Sequence, residues 1–315
     1  MHTANSSMLG VNSQSMENTH EFSLEALDEI AYACSPELHA MYKLSPFVWH
    51  ESDRYELLLR VVNRSAIAAE KVARIHRGLS LDGLNFALGA GPVIAPGDDV
   101  PDSYDSGGCE DPTVAYSNGK YYVYYSGWNE HIKRGELLLA SGPTLEKLEK
   151  HGIALASSAT EKNPKEAEIV RAEDGSWRLF FEYAHEDRSK IGIATSAHVG
   201  GPWTVQPPLF AARNGWDNWH LSTGPIIAGP DTLPVMFYNG ATRAAEWRIG
   251  WVVFDRMFTR VLARCEQPIV IPGERRFAED TDIAFAASAV LNDDRIWLYY
   301  SIADRHVMRA TIRRH

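Results

Sequence analysis

From about residue 40 to the end of the chain, apolar and polar positions alternate with a period of two in short runs broken by Gly, Asp, Asn and Pro. That period places successive side chains on opposite faces of a strand, so the pattern predicts an all-β chain. One unit recurs, a turn followed by an aromatic strand: DRYELLLR (53–60), NGKYYVYYSG (118–127), DGSWRLFFEY (174–183), DTLPVMFYNG (231–240) and DDRIWLYYSI (293–302). Leu59, Tyr125, Phe181, Tyr238 and Tyr300 align at steps of 66, 56, 57 and 62 residues. Each copy is followed by a partner strand, so a unit holds about four strands, and five such sheets set radially predict a five-bladed β-propeller over residues 23–315, a single domain. A packed pair of sheets leaves the even recurrence unexplained.

The one helical signal is SLEALDEIAYAC from Ser23, where Leu24, Leu27, Ile30 and Ala31 fall at helical spacing behind a capping Ser, predicting a short N-terminal helical extension. Residues 1–22, mostly Ser, Asn, Thr and Met, read as a disordered leader. The last copy runs out of chain at His315, so residues near 35–50 are expected to complete its sheet.

Hydrophobic residues make up 45% of the chain, and 9 Trp, 13 Tyr and 11 Phe can fill a large core or stack on a flat ligand. The net charge of −10 argues against a nucleic-acid partner, since phosphate recognition needs a basic face. Cys34, Cys109 and Cys265 stand far apart with no metal-ligand spacing, which implies a reducing compartment and neither metal nor organic cofactor. No apolar run is long enough to span a membrane, and the first residues lack a signal-peptide pattern, so a soluble, cytoplasmic protein is expected. A homo-oligomer stays open.

Candidate chemistry lies at the strand before each aromatic strand, because propellers bind ligands at the axial mouth. GGCEDPTVAY places Glu110 and Asp111 ahead of Pro112; NPKEAEIV carries Lys165, Glu166 and Glu168; WDNWHLSTGPII carries Asp217 and His220; FAEDTDIAFAASAV carries Glu279, Asp280 and Asp282. Alone, an Asp-Pro can be just a turn, and each acid can pair with Arg60, Lys165 or Arg243 in a structural network. As a set, carboxylates converging from separate sheets among aromatic side chains suit glycoside hydrolysis, which needs one protonated acid and one ionised base.

At these residues the chain resembles glycoside hydrolase family 130. LSPFVW (44–49) with YELLLR (55–60), LSLDGLNF (79–86), GCEDPTV (108–114), NPKEAEIV (163–170), STGPII (222–227) with FYNG (237–240), Glu279 and YYSIAD (299–304) follow its pattern in order across residues 42–312. The resemblance implies a five-bladed propeller and inverting action on β-mannosides, by phosphorolysis or by hydrolysis. It makes Asp111 the catalytic acid, sets Arg60 and Asp304 on the mannose beside the cleaved bond, and makes Glu279 the leading candidate to activate water. Glu110, Lys165, Glu168, Asp217, His220, Tyr238 and Asn239 complete the expected substrate-binding set, with His220 equally readable as a buried, satisfied histidine.

Two departures bear on the reaction. Thr113 and Asn239 stand where the family's phosphorylases carry the Arg and His that look like phosphate ligands, while Lys165 is kept. Losing two cations weakens the hold on a dianion, so hydrolysis of β-1,2-linked manno-oligosaccharides is the expected reaction. A phosphate-using β-mannoside phosphorylase, a related arabinosidase or xylosidase, and a non-catalytic sugar-binding propeller are the alternatives. Ser45 and Ser301 also replace the family's usual Asn and Gly, and Trp128, Trp216 and Trp219 are candidate stacking surfaces for the second sugar or simple packing.

Overall fold

The computed structural model describes residues 21–67, 70–97, 103–273 and 281–315. The chain opens with β1 (Phe22–Glu29), β2 (Ala31–Ala33) and a single helical turn, α1 (Pro36–His39). β3 (Tyr42–Glu51), β4 (Arg54–Val62), β5 (Ala73–Ser80) and β6 (Asn85–Ile94) then form an antiparallel sheet, with β2 added in parallel to its outer edge. The second sheet is β7 (Gly108–Ser117), β8 (Lys120–Asn129), β9 (Arg134–Gly142) and β10 (Glu149–Leu155). The third is β11 (Lys162–Arg171), β12 (Trp177–His185), β13 (Arg188–Ser196) and β14 (Thr204–Gln206).

The fourth repeat is divided along its length. Its strands are β15 (His220–Ser222), β16 (Ile226–Gly229), β17 (Thr232–Met236), β18 (Asn239–Ala241), β19 (Trp247–Ile249), β20 (Val252–Phe254) and β21 (Val261–Arg264). β15, β18 and β19 pair in one half; β16, β17, β20 and β21 pair in the other. The first strand breaks at Gly224-Pro225, where Pro225 has no N–H to give the ladder. A Cβ on Gly224 would come within 1.9 Å of the Phe237 carbonyl oxygen, so only glycine permits that approach. The last sheet holds β22 (Ala284–Asn292), β23 (Arg295–Ile302) and β24 (His306–Arg314), with β1 as its outer strand.

The nearly all-β expectation holds, and the N-terminal helix does not. Residues 22–29 form a strand paired antiparallel with β24 from Phe22↔Arg314 to Glu29↔Met308, and Leu24 and Leu27 stay exposed. A helix this short is marginal alone, whereas the open edge of β24 offers the segment a full ladder of hydrogen bonds. Glu25 adds ion pairs to Arg295 (2.9 Å) and Arg313 (3.0 Å). The last sheet is therefore completed from the N-terminal side, as expected in kind, but by β1; residues 35–50 form α1 and the first strand of the next sheet instead. Most of the expected disordered leader, residues 1–20, lies outside the described residues.

Five buried apolar clusters hold the sheets together, each drawn from two neighbouring repeats. Leu58 and Ile75 pack on Val123 and Leu138, Leu137 on Leu179 and Phe181, and Phe180 and Ile191 on Met236 and Val252. Val235 and Phe237 pack on Leu298 and Ile312, and Tyr299 and Val307 return to Leu57 and Leu59 of the first sheet. Burying each such side chain contributes about 1.5–3 kcal/mol. The aligned positions Leu59, Tyr125, Phe181, Tyr238 and Tyr300 are all at most 1% exposed, which explains the even spacing of their aromatic and aliphatic character.

Candidate active site

The first strand of each sheet contributes candidate residues, and a repeated backbone irregularity re-aims one of them. In β3 the pairing with β4 jumps from Leu44↔Arg60 to Phe47↔Leu58. In β7 it jumps from Glu110↔Ser126 to Thr113↔Tyr124, and in β11 from Lys165↔Glu182 to Glu168↔Phe180. Each is a one-residue bulge opposite Leu59, Tyr125 or Phe181, and a bulge re-aims a side chain out of the ladder. At the bulges Ser45, Asp111 and Glu166 adopt φ of 45°, 48° and 48°, a left-handed conformation that non-glycine residues hold only where surrounding structure imposes it. β22 carries the same excess residue between Ala286 and Ser288, and the fourth repeat breaks at Gly224. Ser45, Asp111, Glu166, Gly224 and Ala287 consequently line one narrow cavity.

That cavity shares Ser45 and Glu166 with a lobe of about 210 Å³, which also takes in Lys165, Glu182, Trp247, Phe285 and Asp304. Leu44, Arg60 and Asp304 are common to this lobe and to a larger one of about 780 Å³, where Glu110, Trp128 and Lys71 stand. The two lobes form one cleft leading to Asp111.

Asp111 is buried and accepts hydrogen bonds from Ser45 Oγ (2.7 Å) and Arg60 Nη1 (3.1 Å), and the Glu166 carboxyl lines the same narrow cavity. Arg60 Nη2 reaches Glu110 Oε1 at 2.5 Å, leaving its Nε buried without a partner. Lys165 Nζ stands 3.4 Å from Glu182 Oε1, and Thr281 Oγ1 donates to Asp304 at 3.4 Å.

These charges pull the carboxyls apart. Burial alone would raise Asp111, but the Arg60 and Lys165 charges and the Ser45 bond hold it below the usual carboxylate range. Burial raises Glu166 well above that range, reinforced by the Asp111 charge, and raises Glu110 against the pull of Arg60. Burial likewise raises Asp304. Lys165 is pushed up chiefly by Glu182 and stays cationic. Glu168 lies at the far side of the narrow cavity, takes the Ile226 N–H (3.0 Å) and the Thr113 hydroxyl (3.4 Å), and is pushed up by burial to about 8.

The structure thus brings together Arg60, Glu110, Asp111, Lys165, Glu168 and Asp304 of the expected set. It does not bring Asp217, Tyr238 or Asn239 to the cleft. Asp217 is fully buried and accepts from Tyr238 Oη (2.6 Å), Arg264 Nη2 (2.6 Å) and Arg213 Nε (3.4 Å). Asn239 spends its amide on the carbonyls of Thr223 (2.6 Å) and Ala286 (3.1 Å) and the Ala286 N–H (2.7 Å), clamping the fourth repeat to the last sheet. His220 sits behind the cleft wall, its ring stacked 5.6 Å from Trp247 and its Nδ1 accepting the Ser189 N–H; burial lowers its pKa, so it is a neutral support for Trp247. Glu279 and Asp280 lie outside the described residues. Of the three candidate stacking tryptophans, Trp128 lines the cleft, Trp216 stacks on Tyr238, and Trp219 lies between Arg188 and Arg243.

Glu166, Glu182, Trp247 and Phe285 were not in the expected binding set. Glu166 had a signal: Ser45, Asp111, Glu166 and Gly224 are spaced by 66, 55 and 58 residues, the repeat steps to within one residue. Glu182, Trp247 and Phe285 had none, since none of them falls at the repeat spacing that Ser45, Asp111 and Glu166 share.

The comparisons agree with this architecture. A family model described as beta-1,4-mannooligosaccharide phosphorylase matches residues 45–315. A 1,2-beta-oligomannan phosphorylase of Thermoanaerobacter sp. (strain X514) is 25% identical over 238 residues, 74% of this chain and 76% of that protein. The structure of a beta-1,2-mannobiose phosphorylase from Listeria innocua in complex with beta-1,2-mannobiose superposes with a TM-score of 0.73 at 19% identity, covering 92% of this chain and 91% of that one. A second structure, reported with the finding that the GH130 mannoside phosphorylases contain hydrolases targeting β-1,2 mannosidic linkages in Candida mannan, gives a TM-score of 0.73 at 22% identity, covering 92% and 94%. With the family model matched along 45–315, the chain belongs to glycoside hydrolase family 130.

Proposed function

We propose that this chain is an inverting hydrolase of β-mannosides, with β-1,2-linked manno-oligosaccharides as its substrates, built on a five-bladed propeller. Two features support the propeller: the five apolar clusters link successive sheets and then the last to the first, and one residue from each first strand lines a single cavity. The observation that carries hydrolysis is the state of Thr113 and Asn239. Both are buried, neutral and bonded within the protein, so neither position supplies charge to a phosphate. Lys165 meets Glu182 and the Glu166 carboxyl instead, a poor setting for a dianion.

In this reading Arg60 and Asp304 hold the hydroxyls of the mannose beside the cleaved bond, the first as a rigid donor fork and the second as acceptor. Asp111 delivers a proton toward the glycosidic oxygen, directly or through a sugar hydroxyl. Water enters from the opposite face and inverts C1, activated by Glu279 or by a carboxylate of the smaller lobe. For direct inversion the acid and base should stand about 6.5–9.5 Å apart, leaving room for water; a hydroxyl relay lengthens that span. The soluble, cytoplasmic setting inferred from composition suits an enzyme working on short imported chains.

Phosphorolysis is the second reading, favoured by the phosphorylase activity named for the 25%-identical relative and by the retained Lys165. Incubation with β-1,2-mannobiose, with and without inorganic phosphate, separates them. Free mannose formed without phosphate supports hydrolysis; strict phosphate dependence with mannose 1-phosphate as product overturns it.

A further inference from the structure

Asp111, as the acid, must carry a proton at the moment the glycosidic bond breaks, yet Arg60 at 3.1 Å and the nearby Lys165 favour its ionised form. The proton must be stored beside it. Six groups besides Glu166 face this point: Arg60 on β4, Glu110 next to Asp111 on β7, Lys165 on β11, Glu168 on β11 across the narrow cavity, Glu182 on β12, and Asp304 after β23. Glu110 is fixed to Arg60 and Glu182 to Lys165 and the Ser189 hydroxyl (2.8 Å). Glu168 is turned to the Ile226 N–H and the Thr113 hydroxyl, and Glu166 is the remaining acid that lines the narrow cavity with Asp111. Two carboxyls in one narrow cavity repel when both are ionised, so one of them keeps a proton.

We propose that Glu166 is a positioning residue that keeps a proton at Asp111, the two side chains being set on matching bulges of β7 and β11 and lining one cavity. The left-handed backbone at both positions supports a built arrangement, since each costs conformational energy that an ordinary strand avoids. In turnover Glu166 passes its proton to Asp111, which delivers it to the glycosidic oxygen. The C1–O bond breaks, the attacking oxygen bonds to C1, and the proton shed by the attacking water restores the pair. The inference rests on the reading of Asp111 as the acid, and it applies equally if phosphate is the acceptor.

Infrared difference spectra of the unliganded protein near neutral pH, wild type against Glu166→Gln, test it without any substrate. One protonated-carboxyl band should disappear in Glu166→Gln and reappear in Glu166→Asp. With mannoside, kcat/KM of Glu166→Gln should fall about a hundredfold with little change in KM, and the alkaline limb of its pH profile should move to lower pH, because Asp111 then loses its proton more readily. An unchanged band, or a uniform loss at every pH with the limb in place, overturns the proposal. Should Glu166→Gln fail to fold, Asp111→Asn serves: removing the adjacent charge lets the Glu166 band titrate at lower pH, and an unmoved midpoint is a refutation. A chain inert toward mannosides would sink the functional reading while leaving the spectral result to stand or fall alone.

Discussion

Two buried aspartates in this molecule, each next to arginine, do opposite things. Asp217 is met by two guanidiniums and a tyrosine hydroxyl, and the network closes on itself away from the cleft. Asp111 shares two cations, Arg60 and Lys165, with Glu110, Glu166 and Glu182, and it lines the narrow cavity that has Ser45 and Glu166 in common with the cleft. Where cations outnumber carboxylates, as around Asp217, every acceptor is tied to a donor within the protein and the group is a fastener. Where carboxyls outnumber cations, they cannot all ionise, and their affinities for protons separate, as Asp111 and Glu166 do. Burial of an acid therefore says little about its role; the charge count around it decides.

The same chemical change at both positions should break the comparison most sharply. Asp111→Asn is expected to lower kcat by about 10²–10⁴-fold, with Tm near wild type, because removing one carboxylate from a crowded cluster relieves repulsion while Arg60 keeps Glu110. Steady-state kinetics on β-1,2-mannobiose beside a thermal melt check this. Turnover that survives Asp111→Asn would remove Asp111 as the acid, whereas mannoside binding with no turnover in the parent would favour a sugar-binding protein over an enzyme.

Asp217→Asn should invert that outcome. It leaves Arg213 and Arg264 facing a neutral amide at a fully buried position, and breaking a buried pair costs about 3 kcal/mol or more. Urea unfolding should show the loss as a lower midpoint at unchanged m-value, while the folded fraction turns over substrate as the parent does. A loss of kcat at unaltered stability would return Asp217 to the substrate set that the sequence suggested.

Why sequence set Asp217 in the expected binding set and left Glu166 out of it has a common cause. The five repeats were legible because burial forces Leu59, Tyr125, Phe181, Tyr238 and Tyr300 to keep one character at one spacing. Asp111 was legible through its Asp-Pro context. Charge partners were not, since Asp217 meets Arg264 across 47 residues and Asn239 meets Ala286 across 47, with nothing local to mark either pairing. The strand β1 was misread for the same reason: its partner is β24, more than 275 residues away, and local periodicity cannot report a nonlocal ladder. Only Glu166 could have been found, by carrying the repeat spacing from Asp111 one sheet further.

Glu168 is the intermediate case and sharpens the comparison with the smallest effect. It has no cation within its network, only the Ile226 N–H and the Thr113 hydroxyl, and burial lifts it to about 8. The unfolded chain releases this proton near the ordinary glutamate value of about 4.3, whereas the folded protein holds it until about pH 8. Between those limits the folded state binds more protons, so the contribution of Glu168 to stability is present at low pH and is lost progressively as pH rises toward 8. Glu168→Gln keeps the shape and neutrality of the protonated side chain: its amide oxygen can take the Ile226 N–H, and its NH₂ can donate to Thr113 Oγ1. Stability should therefore match wild type at acidic pH and exceed it on the alkaline side, with the two unfolding curves diverging as pH climbs. Curves that run parallel throughout would show Glu168 already ionised, and would mean that an unpaired buried carboxyl here is stabilised by something other than its proton.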